Sequence, residues 1–130
     1  MAQTNEPLLS VKGLKQYFPV SKKFTVRAVD NISFDIYPGE TYGLVGESGS
    51  GKSTTGRSII RLYDPTEGTI LFNGEDISKK LTAKQEKMLR SDMQMVFQDP
   101  MASLNPHKKI LDTIAMGLDA HHPHMDQKER

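Results

Sequence analysis

The sequence predicts an α/β fold, with antiparallel strands first and a strand–loop–helix unit after them. Three observations carry that prediction. Residues 8–37 hold runs rich in β-branched and aromatic residues, LLSVKGLKQYF, FTVRAV and NISFDIY, separated by turn residues. Residues 41–54, TYGLVGESGSGKST, place a short apolar run directly before a glycine-rich loop. Residues 68–78, GTILFNGEDIS, carry Asn73-Gly74 between two strand-like runs, the strongest short-range hairpin signal.

Each element follows from its own residues. The spacing gives strands over 8–18, 24–29 and 31–37, with PVSKK (19–23) as a turn and Pro38-Gly39 ending the last of them. TYGLV (41–45) reads as a buried parallel strand. TGRSIIRLY (55–63) continues a helix that starts near Lys52 and stops at Asp64-Pro65. Thr82-Ala83-Lys84-Gln85 has the spacing of a capping box and opens a helix to about Arg90. MQMVF (93–97) is a second buried-looking strand, and Gln98 to Leu104 a loop. Asn105 and Pro106 suit the N-cap and first position of a helix whose apolar face holds Ile110, Leu111, Ile114 and Leu118.

Composition narrows the functional classes. The chain has 130 residues and a formal net charge of +1, so nothing favours nucleic acid as a partner. It has no cysteine, which excludes a disulfide framework and thiol chemistry. The start, MAQTNEPLLSVKGLK, lacks the basic and apolar regions of a signal peptide. No apolar run approaches the ~20 residues that span a bilayer. His121, His122 and His124 flank a proline in a polar stretch and read as a solvated loop rather than a metal site.

The chemistry concentrates at residues 46–54. Gly46, Gly51, Lys52 and Ser53 fit G-x-x-x-x-G-K-[ST]. Consecutive backbone N–H groups converge on phosphate oxygens only where the chain curls into a nest, and glycine tolerates the positive φ angles this needs. A helix starting near Lys52 turns its positive end toward the same oxygens. Gly46, Glu47, Ser48, Gly49, Ser50, Gly51, Lys52, Ser53 and Thr54 together form the candidate nucleotide site. Lys52 reaches the β- and γ-phosphates, and the Ser53 hydroxyl suits Mg²⁺, which prefers hard oxygen ligands. The plain alternative is a glycine-rich turn before a helix. At average residue frequencies the pattern arises by chance in roughly one such chain in a few hundred, which favours the phosphate reading.

Longer stretches add a resemblance. AVDNISFDIYPGETYGLVGESGSGKSTTGRSIIRLYDPTEGTILFNGEDI is similar to the start of the ATPase subunit of ABC transporters. FQDPMASLNP, with GESGSGKS and the upstream LKQYFPV, resembles the oligopeptide and dipeptide importers within that family. The resemblance implies a P-loop NTPase core with an N-terminal antiparallel β-subdomain. It divides the chain into 1–40 and 67–78 (the β-subdomain), 41–63 (P-loop strand and helix), 79–106 (helix, strand and Q-loop) and 107–130 (the start of a helical subdomain). It implies that Tyr17 stacks on adenine, with Phe18 the next candidate. It implies that Gln98 approaches Mg²⁺ and the attacking water, so Lys52 and Gln98 are the candidate catalytic residues. ATP and Mg²⁺ are the implied cofactors. A second ATPase subunit and permease subunits docking near 99–118 are the implied partners, at the cytoplasmic face of the cell membrane.

The resemblance also implies motifs that these 130 residues do not hold: an LSGGQ-type signature, an apolar strand ending in Asp-Glu, and a later switch histidine. The expected object is the N-terminal half of a subunit, its fold incomplete, that binds nucleotide without turnover. Self-association through the apolar strands is expected. Two other readings stand beside it: a different P-loop NTPase, and a non-catalytic fragment.

Overall fold

The computed structural model describes residues 5–126. The described residues divide into two units, one up to Arg90 and one from Ser91.

The first unit is built on a four-stranded antiparallel sheet in the order β2-β1-β3-β4. The strands are β1 (Leu9–Ser21), β2 (Phe24–Ile36), β3 (Glu67–Phe72) and β4 (Glu75–Asp76). The expected break between FTVRAV and NISFDIY is absent, since one 13-residue strand runs through both. Asn31 sits there at φ 57, and the β1–β2 register shifts near it, so an irregular residue is absorbed inside the ladder rather than ending it. The expected turn over 19–23 is likewise shorter, because Pro19 and Ser21 still pair with Thr25 and Phe24. Asn73 and Gly74 both take positive φ, 51 and 81, as a two-residue hairpin of the primed type requires. Gly68, at φ 103, lies so close to β1 that a Cβ there would stand 2.7 Å from the Leu14 Cα. That close approach brings β3 against β1 and seals Val11, Leu14 and Ile70 in a core with Ile77 and Leu89.

Helix α1 (Lys52–Ile59) ends earlier than the sequence predicts. Its terminus is a Schellman turn with arginine where glycine is usual: Arg61 has φ 59, Leu62 N donates to Arg57 O at 2.9 Å, and Arg61 N donates to Ser58 O at 3.2 Å. The Arg61 side chain, 3% exposed, supports this unfavourable backbone. Its guanidinium donates to Ile77 O, to Lys79 O at 2.9 Å and to Asp64 Oδ1 at 2.6 Å. Arg61→Ala is expected to destabilise the chain by about 2–4 kcal/mol, because two carbonyls lose a charged donor. Asp64→Ala should cost under ~1 kcal/mol, since Asp64 is 93% exposed. Urea unfolding of the two variants checks both.

Helix α2 (Ala83–Asp92) opens with the expected capping box: Gln85 N donates to Thr82 Oγ1 at 3.2 Å, and Thr82 N to Gln85 Oε1 at 3.1 Å.

Two strand expectations fail. Residues 41–45 and 93–97 carry no strand pairing. An apolar run becomes a strand only where a neighbour completes its ladder, and among the described residues none does. Val45 and Val96 are 94% and 96% exposed as a result.

The second unit holds α3 (Pro100–Ser103) and α4 (Ile110–His121). The loop expected from Gln98 to Leu104 contains α3, nucleated by Asp99, whose Oδ1 accepts from Met101 N and Ala102 N with Pro100 at the first helical position. Asn105 does not cap α4. Its side chain instead accepts from His107 N at 2.9 Å in a local turn, and α4 begins at Ile110 after Lys109. Ile110, Leu111 and Ile114 on α4 are exposed.

Candidate nucleotide-binding loop

The loop lies in the first unit and is fixed at both ends. Upstream, the Pro38-Gly39 turn is closed by Glu40 N donating to Tyr37 O at 3.0 Å, and Tyr42 stacks on Phe34 with ring centroids 5.0 Å apart. Downstream, Gly51 is the N-cap of α1 at φ 93. An added Cβ on Gly51 would stand 2.3 Å from Ala28 O on β2, so the loop rests directly on the sheet at a point only glycine can occupy. Helix α1 is held on β1 by Ser58 Oγ, which donates to Gln16 Oε1 at 3.1 Å in a buried position. No single-sequence signal marks that pair.

Between these anchors the chain curls. Ser50 N donates to Glu47 O at 3.1 Å, and Gly49 also takes positive φ, 78. The first N–H groups of α1, over Lys52, Ser53 and Thr54, have no intrahelical acceptor and point out of its N-terminus. The Lys52 side chain folds back over the loop. Its Nζ donates to Glu47 O at 2.6 Å, Gly46 O at 2.7 Å and Ser50 Oγ at 3.1 Å. A cation and the helix's positive end are thereby held on one concave turn of backbone. Ser53 is exposed beside them, Glu47 contributes its carbonyl, and Ser48 is an exposed loop position.

Tyr17 is brought toward the same stretch of sheet. It pairs across the ladder with Arg27, the residue before Ala28. Its hydroxyl donates to Asp30 Oδ1, and the Arg27 guanidinium carbon lies 5.5 Å from the ring centroid. The hydrogen bond to Asp30 holds the phenol pKa above its usual value, with burial adding to it. Arg27 and Asp30 were not legible as neighbours of Tyr17, because the β1–β2 register shifts that align them leave no trace in the sequence. Phe18 packs edge-on against Tyr63 instead, with centroids 5.2 Å apart. Gln98 is exposed and lies in the second unit.

A glycine-rich nest, an inward-folded lysine and a helix N-terminus on an antiparallel sheet make up a loop of the P-loop type. The chain belongs to the ABC transporter family, which matches residues 29–130. It is 58% identical over 125 residues to the oligopeptide transport ATP-binding protein OppF of Bacillus subtilis (strain 168), covering 96% of this chain and 41% of that protein. It is 50% identical over 115 residues to the dipeptide transport ATP-binding protein DppF of Lactococcus lactis subsp. cremoris (strain MG1363), covering 87% of this chain and 36% of that protein. The chain therefore spans about two fifths of the length of these relatives. Among solved structures, the dimeric structure of MJ0796, a bacterial ABC transporter cassette, superposes with a TM-score of 0.80 at 25% identity, covering 93% of this chain and 51% of that one. A second structure of that cassette, in a dimeric post-hydrolysis state bound to ADP and Pi, gives 0.79 at 25% identity.

Proposed function

We propose that this chain binds ATP through residues 46–54, as part of the ATPase subunit that energises peptide import by an ABC transporter. The observation that carries the binding reading is the Lys52 ammonium, held over a loop whose N–H groups and helix end share its polarity. The names of the relatives support the peptide substrate.

The residues fit the cofactors. The nest and Lys52 take the phosphates, with Gly46, Glu47, Ser48, Gly49, Ser50, Gly51 and Thr54 shaping the cradle. Ser53 would offer Mg²⁺ a hydroxyl oxygen, the kind of ligand that suits a hard cation. Bound there, Mg²⁺ would neutralise charge on the phosphates. The Q-loop role of Gln98, toward Mg²⁺ and the attacking water, is proposed from the family resemblance alone. Tyr17 would stack on adenine. Tyr17→Ala is expected to weaken ATP binding about five- to a hundredfold, the worth of one base–aromatic stack, while leaving inorganic triphosphate unaffected. Equal weakening of both ligands in calorimetric titration would mean that the substitution damaged the sheet instead.

A second ATPase subunit and permease subunits docking near 99–118 are the proposed partners, at the cytoplasmic face of the membrane. Among the described residues no helix is long and apolar enough to cross a membrane. Self-association through the exposed runs 41–45 and 93–97 belongs to the same proposal. Within residues 1–130 no Asp-Glu pair follows an apolar strand and no LSGGQ occurs, so binding is proposed to proceed without measurable turnover. ATP titration with and without Mg²⁺, alongside a phosphate-release assay, tests this reading.

A further inference from the structure

An ammonium group has three donors and no acceptor. The loop assigns all three Lys52 donors to its own oxygens: Glu47 O, Gly46 O and Ser50 Oγ. Lys52 can donate to a phosphate oxygen only in exchange for one of them. The two carbonyls are part of the backbone curl, and Glu47 O is further tied by Ser50 N. The hydroxyl is different. It makes the longest of the three contacts, 3.1 Å, and moves by rotation about one side-chain bond. In its present rotamer it sits 2.5 Å from where a Cβ on Gly46 would stand, in space left open by the missing side chain of that glycine.

We infer that Ser50 Oγ is an internal competitor for the third donor of Lys52, and that its rotation away from the lysine admits the phosphate. Rotation breaks one neutral-acceptor hydrogen bond, and the incoming oxygen replaces it with a charged one. Ser50 thus keeps the ammonium centred over the loop and subtracts from phosphate affinity at the same time. This inference rests on the proposal that the loop binds phosphate.

The test is a double-mutant cycle in the full 130-residue chain, with Ser50→Ala, Lys52→Met and both together, titrated with inorganic triphosphate. Ser50→Ala is expected to tighten triphosphate binding about two- to tenfold, the net worth of one hydrogen bond. It should change nothing in the Lys52→Met background. Unchanged or weaker binding by Ser50→Ala, or the same gain without Lys52, overturns the inference. A second measurement needs no bound phosphate: the acylation rate of the Lys52 amine. It should rise about two- to tenfold in Ser50→Ala, because one of the three hydrogen bonds that hold the nitrogen against the loop is gone. An unchanged rate overturns the hold by Ser50. Absence of triphosphate binding by the wild type would overturn the phosphate reading itself, leaving the acylation rate to decide on Ser50.

Discussion

Gly51→Ala is expected to abolish detectable ATP binding and to destabilise the chain by about 2–4 kcal/mol. Two causes act together. The residue has φ 93, a region costly for any side chain, and the new methyl would meet Ala28 O at 2.3 Å. The obstructing atom is backbone within β2, so no side-chain rotation relieves the contact. Either the loop lifts off the sheet, which opens the nest, or β2 bends. Gly74→Ala is the matched control, because it also has positive φ, 81, but nothing lies within 4 Å of its added Cβ. Its cost should be limited to backbone strain, about 1–2 kcal/mol, with ATP binding retained. Urea unfolding and calorimetric titration of the two variants separate the contributions.

Lys52→Ala is expected to weaken ATP binding at least ~tenfold, since a charge-assisted hydrogen bond is worth about 1.5–3 kcal/mol. The structure adds a second loss. With the ammonium gone, the carbonyls of Gly46 and Glu47 no longer converge on a shared donor, and the curl loosens. The effect should therefore be as large for inorganic triphosphate as for ATP, unlike that of Tyr17→Ala. Equal affinity in wild type and Lys52→Ala, measured by titration, would remove the lysine from the site.

What the sequence made legible was local. The curl of the loop was readable because positive-φ glycines and a helix start demand particular residue types at fixed spacing, and Gly49, Gly51 and Lys52 supply them. The Asn73-Gly74 hairpin and the Thr82–Gln85 capping box were readable because each closes within four residues. The misreadings arose where distant residues decide. Residues 41–45 and 93–97 look like buried strands, yet a strand exists only through its neighbours, and these have none among the described residues. Helix α1 ends before the Asp64-Pro65 stop that the sequence predicts, because its stop signal is Arg61 in a glycine's conformation, held there by carbonyls at 77 and 79. Asn105 looked like a helix cap because its side chain does close a turn, but on His107 rather than on α4. In the candidate site, the residue types were evident and their mutual support was not. The contact of Gly51 with Ala28, the pairing of Ser58 with Gln16 and the approach of Arg27 and Asp30 to Tyr17 all cross between strands or from helix to sheet.

Residues 46–54 are proposed to bind the phosphates of a nucleotide. Backbone amide NMR of the full chain, titrated with ATP and then with inorganic triphosphate, tests it most directly. Both ligands are expected to shift the amides of residues 46–54, with the first N–H groups of α1 among the largest changes, and ATP alone is expected also to shift residues around Tyr17. Shifts confined to other segments, or none in 46–54 at saturating ligand, would contradict it.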